Sequence, residues 1–95
     1  MFKQLDPLLH SELRLAIMSL LVGLKEAEFA FIKEKTKATS GNLSIQLQKL
    51  YGVDYIVIEK SFRGNYPLTT CRITKKGIEA FEKYVDALKD YINKK

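Results

Sequence analysis

The sequence predicts an α+β domain that is mostly helical: three helices, a two-stranded β-hairpin and a long C-terminal helix. Three observations carry that prediction. In the stretch TSGNLSIQLQKL, from Thr39 to Leu50, Leu43, Leu47 and Leu50 recur at i, i+4 and i+7, the spacing of one apolar helix side. Two β-branched and aromatic runs, Tyr55–Phe62 and Leu68–Thr74, flank the short tip Arg63–Pro67. Ile78, Phe81, Val85, Leu88 and Ile92 then follow at alternating steps of three and four, a seam of the kind two packed helices share.

Taken in order, Asp6 and Pro7 make a good helix opening, Asp as N-cap and Pro at the first helical position, where its missing N–H costs nothing. Leu9, Leu13, Ala16, Ile17, Leu20, Leu21 and Leu24 recur at helical spacing, and Gly23 marks a stop, so the first helix is expected over Pro7–Val22. The leader Met1–Leu5 is partly apolar and could extend toward a partner chain. A short second helix is expected within Ala27–Lys37, with Phe29 and Ile32 inward, Phe31 a further core candidate, and Lys33, Lys35 and Lys37 outward. Ala38 and Thr39 supply a turn, so two short helices are joined by a few residues, as in a helix-turn-helix. At the hairpin tip the Gly64–Asn65 pair can take the positive φ angles of a tight turn. Thr74 can cap the last helix, and Lys94 and Lys95 at its end suit the helix dipole.

Ninety-five residues make one domain, 1–95, with a limited core that an oligomeric partner would help to stabilise. The longest apolar run, Leu15–Val22, is broken by Ser19 and is far too short for a membrane span. Met1-Phe-Lys-Gln lacks signal-peptide architecture, and the single Cys71 suits a reducing compartment, so a cytoplasmic location is expected. His10 has no second His, Cys or acidic cluster at ligand spacing; neither a metal site nor a cofactor is expected. Cys71 and His10 lack an orienting third group, so the expectation is no enzyme, with Cys71 a small buried residue.

The net charge of +5 is unevenly distributed. Residues 1–30 carry −1, residues 31–76 carry +6 and residues 77–95 carry 0. A surface that displaces counterions from a polyanion would concentrate charge in this way. The Thr39–Leu50 helix is short enough for a DNA major groove, and the hairpin directly after it, with Lys60, Arg63 and Arg72, could reach the DNA backbone.

The order of these segments, with Gly41-Asn42-Leu43-Ser44 opening the third helix, the Arg-Gly-Asn-Tyr-Pro tip, and Ile73-Thr74-Lys75-Lys76-Gly77 entering the last, resembles the small winged-helix transcriptional regulators. It is most similar to the compact group related to MarR-like proteins, and the likeness covers nearly the whole chain. One place departs: where such proteins usually carry Gly before the first wing strand, this chain has Asp54, a residue that tolerates a left-handed conformation better than most. The resemblance implies sequence-specific binding of double-stranded DNA by a homodimer, with the recognition helix in the major groove, the wing on backbone or minor groove, and terminal helices pairing the protomers.

With the three leucines inward, about 100° per residue turns Ile45 and Gln48 outward, flanked by Gly41, Asn42, Ser44 and Lys49. Asn42 and Gln48 can match adenine N6 and N7, Ser40 and Ser44 can reach phosphates or an adjacent base, and Ile45 a thymine methyl. Gln46 lies nearer the buried side and is expected to be structural. Lys60, Arg63, Asn65 and Arg72 complete the expected DNA surface. Phe2, Leu5, Phe81, Tyr84, Val85, Leu88, Tyr91 and Ile92 form the expected dimer surface, which leaves more apolar area than one small domain covers. The expected function is a DNA-binding repressor acting by steric occlusion. The alternative is a winged-helix module that binds a protein instead, marked by an apolar patch across Ile45 and Tyr66. A small effector in a dimer crevice is a third option, and the sequence names no ligand for it.

Overall fold

The structure, a computed structural model, describes residues 2–92 and orders them as α1 (Glu12–Leu24), β1 (Glu26–Glu28), α2 (Phe29–Thr36), α3 (Ser40–Gly52), β2 (Ile56–Arg63), β3 (Tyr66–Ile73) and α4 (Lys75–Ile92). Met1 of the leader, and Lys94 and Lys95 with their dipole role, lie outside the described residues. Four helices accompany one antiparallel sheet of order β1-β3-β2. Leu43, Leu47 and Leu50 enter the core as their spacing predicts, where they join Leu9, Ile17, Leu21, Ile32 and Ile56. Each such side chain contributes about 1.5–3 kcal/mol by leaving water.

The first helix starts later than its Asp-Pro opening predicts. Asp6 does cap, but what it caps is a single turn: its carboxylate accepts from Leu8 N at 2.9 Å, and its carbonyl accepts from Leu9 N at 3.0 Å and His10 N at 2.9 Å. Ser11 then returns to extended backbone (φ −153°, ψ 130°) and becomes the N-cap of α1, its Oγ accepting from Arg14 N. Leu9, in the turn before this break, is fully buried and joins the core. At the other end α1 passes Gly23 to Leu24, and the chain turns at Lys25 with φ 75°.

Expected helix 2 yields its first residues to a strand. Glu26, Ala27 and Glu28 pair with Arg72, Cys71 and Thr70 of β3. Glu-Ala-Glu has helical propensity, so the pairing is imposed by tertiary contact: Ala27 packs against the core and Glu26 meets Arg72 at 3.1 Å. In α2 Ile32 is buried and Phe29 partly so, but Phe31 stays exposed beneath the ammonium of Lys35. Lys37, left-handed at φ 60°, ends α2, and Thr39 caps α3 by accepting from Asn42 N at 3.2 Å. The helix-turn-helix is therefore present, and α3 runs two residues past Leu50.

Asp54 leaves α3 with φ 64°, the left-handed conformation glycine usually supplies. In the hairpin Arg63 faces Tyr66, which leaves a two-residue turn. Gly64 alone has positive φ (62°), as a type II′ turn requires at its first central position. Thr74 closes the wing onto α4. Its N–H donates to Tyr55 O at 3.0 Å, its hydroxyl donates to Asp54 O at 2.6 Å, and that hydroxyl oxygen accepts from Gly77 N at 2.9 Å.

In α4 the buried row is Gly77, Tyr84 and Ala87, with Ala80 partly covered. The expected seam of large residues lies beside that row: Ile78, Phe81 and Leu88 are half-buried, and Val85 and Ile92 are exposed. Small residues let α4 approach closely, and Tyr84 goes inside because its hydroxyl meets His10 Nδ1 at 2.9 Å. The leader lies along the same helix, with Phe2 stacked on Tyr91 at 4.6 Å and Lys3 paired with Asp86 at 2.8 Å. Tyr55 donates to Asp6 at 2.5 Å; burial first, and that carboxylate second, push its phenol up to about 12.

Gly77 generates a sharp prediction, because a Cβ there would sit 2.2 Å from Tyr55 O, a backbone atom that cannot step aside. Gly77→Ala should lower unfolding free energy by about 3 kcal/mol or more in urea titration, whereas Gly23→Ala, with nothing within 4 Å, should raise it by about 0.5–1 kcal/mol. Equal midpoints for the two variants would contradict the close approach. Cys71 is fully buried and burial pushes its thiol up to about 11, so iodoacetamide at pH 8 should label it in urea but scarcely in the native protein.

Candidate nucleic-acid interface

Because α3 buries one apolar row, its opposite side is obliged to face outward. Ser40, Gly41, Asn42, Ser44, Ile45, Gln48 and Lys49 are all exposed. Ser44, Ile45, Gln48 and Lys49 together line one shallow depression in the surface. Thr39 satisfies only one of the N–H groups that open α3, and no acidic residue stands in its first turn, so that end remains partly positive.

Gln46 sits between core and surface. Its Oε1 accepts from the guanidinium of Arg14, and its Nε2 donates to Asn42 Oδ1 at 2.9 Å. Arg14 is itself tied by Nε to Leu8 O at 2.6 Å. Its structural role is as expected, but its grip on Asn42 and the part of Arg14 are absent from the sequence reading. The Asn42–Gln46 step of four is a visible signal for the first link. Arg14 lies two elements away and gives none.

The wing projects beyond the core: from Glu59 to Pro67 every residue is exposed. Lys60 and Asn65 lie there in water, and among the described residues Lys60 makes no ion pair. Arg63 instead meets Glu28 at 2.7 Å. Arg72 is half-buried and spans the sheet, holding Glu26 on β1 at 3.1 Å and Glu59 on β2 at 2.6 Å; the two partners, Glu26 first, hold its guanidinium still more firmly protonated. The expected phosphate contact at Arg72 thus has two carboxylates to displace. The acidic partners on β1 belong to the chain's first third, which is why the segment count overstated the available charge. Lys33, Lys35, Lys37, Lys49, Lys75 and Lys76 are exposed, and none has a carboxylate partner among the described residues.

The expected dimer residues divide. Val85, Tyr91, Ile92 and Phe2 are exposed, Leu5, Phe81 and Leu88 are half-buried, and Tyr84 is only 4% exposed, facing its own chain. Between leader and α4 runs an open groove of about 1140 Å³, lined by residues that include Leu5, Asp6, Tyr55, Lys76 and Tyr84. No helix among the described residues is long and apolar enough to cross a membrane.

Comparison with known proteins agrees with this geometry. An uncharacterized protein of Methanocaldococcus jannaschii is 38% identical over 76 residues, covering 80% of this chain and 83% of its own. The structure described as a transcriptional regulator homologue from Pyrococcus horikoshii superposes with a TM-score of 0.84 at 28% identity, over 90% of this chain and 84% of that one. AbsC, a MarR family transcriptional regulator from Streptomyces coelicolor, shares the fold, with a TM-score of 0.59 at 16% identity over 88% of this chain and 68% of its own. Residues 13–92 match the family described as "Winged helix DNA-binding domain", and the chain, MarR-like in its fold, belongs to that family.

Proposed function

We propose that this protein is a sequence-specific regulator that binds double-stranded DNA as a homodimer and represses by occluding its site. The observation that carries this reading is the outward row of α3, where Asn42, Ser44 and Gln48 offer hydrogen bonds and Lys49 a charge, on a helix whose other side is locked into the core. Such a helix, entering the major groove by its N-terminal end, reads base edges with those side chains. Lys60, Asn65 and Arg63 of the wing then reach backbone or minor groove. Arg63 can exchange Glu28 for a phosphate at little cost, since an exposed ion pair contributes only about 0–1 kcal/mol. The half-exposed seam of α4, with Val85 and Ile92, and the leader's Phe2 supply the surface for a second copy.

A second reading has its own observation. Ile45, Phe62 and Tyr66 are 56%, 72% and 78% exposed, an apolar presence that would suit a protein partner. Selection of bound sites from random duplexes at two salt concentrations separates the two. A two-fold related consensus supports the regulator; no steeply salt-dependent binding supports the interaction module.

Three variants test the regulator further. Lys49→Ala should weaken binding to every duplex and reduce the log–log salt slope by about 0.9; an unchanged slope would remove Lys49 from the contact surface. Glu28→Gln should strengthen binding by up to about fivefold by releasing Arg63, and weaker binding would show that the wing needs its ion pair. Val85→Lys should turn the dimer into a monomer by sedimentation while leaving the melting temperature of the domain nearly unchanged; a variant that still sediments as a dimer would move the interface elsewhere.

A further inference from the structure

The contacts around Gln46 orient an amide that faces outward. A guanidinium has only donors, so Arg14 can meet Gln46 only through the oxygen of its carboxamide. That leaves the Gln46 NH₂ pointing along α3 toward Asn42, four residues earlier, and Asn42 must answer with its own oxygen, at 2.9 Å. The Asn42 NH₂ is then the part turned to solvent. Arg14 is itself anchored, its Nε donating to Leu8 O at 2.6 Å in the turn that precedes α1. Two amide orientations are therefore dictated by one buried-side cation.

We propose that Arg14 and Gln46 are positioning residues that make Asn42 a donor-only reader, selecting guanine at one position of each half-site. This rests on the DNA-binding reading above and alters its detail. Adenine offers a donor beside an acceptor and needs both halves of a carboxamide, whereas guanine shows two acceptors, O6 and N7, to the major groove. With its oxygen engaged by Gln46, Asn42 presents the two N–H groups that suit the second pattern.

Gln46→Glu inverts the relay without removing it. A carboxylate can accept both from Arg14 and from Asn42, so Asn42 turns its NH₂ inward and its oxygen outward, toward a base that donates, adenine or cytosine. In site selection from random duplexes the parent protein should prefer guanine at one position by about tenfold. Gln46→Glu should move that preference to adenine or cytosine, and Arg14→Met should flatten it. Because bases are compared within one variant, the added charge of Glu cancels. An unchanged preference in Gln46→Glu, or a loss equal on all sequences, overturns the proposal.

Side-chain amide exchange by NMR on the free protein separates this from the DNA reading. Slow exchange at Gln46 with fast exchange at Asn42, and slowed exchange at Asn42 in Gln46→Glu, supports the relay; equal rates at both residues overturn it even where DNA is selected. Slow Gln46 exchange in a protein that selects no duplex overturns the regulator reading, and the base-reading role with it.

Discussion

Three parts with different tasks diverge from a single joint at Thr74. The exit of α3 arrives as Asp54 O, the root of the wing as Tyr55 O, and the start of the C-terminal helix as Gly77 N, all within hydrogen-bond reach of one threonine. Gly77 has no Cβ to hold that carbonyl off, so α4 seats directly on the strand that leaves α3. The angle between the helix that would read DNA and the helix that would pair two copies is set at this contact. Every polar atom of this partly buried joint has a partner, and such a joint would let a proposed dimer hold its two α3 helices at a fixed distance.

Charge on this molecule serves two purposes, and the sheet separates them. Arg72 and Arg63 are partly spent on holding β1, β3 and β2 together through Glu26, Glu59 and Glu28. Exposed pairs of this kind add little stability each, and they offset part of the charge of Arg63 and Arg72. The lysines of α2, α3 and the start of α4 have no such partners among the described residues, so their charge stays open to a polyanion. The positive middle of the sequence is thus divided between structure at the wing and attraction around the helices.

Much of this was legible in the residues because the cause was local. The leucine row of α3, the Thr39 and Thr74 caps, the turn at Gly64 and the left-handed Asp54 all follow from side chains acting on their own backbone within a few positions. What escaped was set by distant contacts. Glu26–Glu28 becomes a strand by pairing with the edge of β3, and the turn that Pro7 opens ends at Ser11, with Leu9 packed among core residues from far along the chain. The packing row of α4 is hidden from a reading by side-chain size, because it includes the small residues Gly77 and Ala87. Within the site, the exposed residues of α3 could be read from periodicity. The hold of Arg14 on Gln46 could not, since the two stand 32 positions apart with a strand and a helix between them.

On the proposed reading, the outward row of α3 and the wing act as one surface for duplex DNA. Backbone amide shifts of isotope-labelled protein, followed as a duplex carrying its selected site is added, test it most directly. The changes should concentrate in residues 40–49 and 60–65 and shrink as salt rises. Changes confined to α4 and the leader, or the same changes with any polyanion and no dependence on duplex sequence, would contradict it.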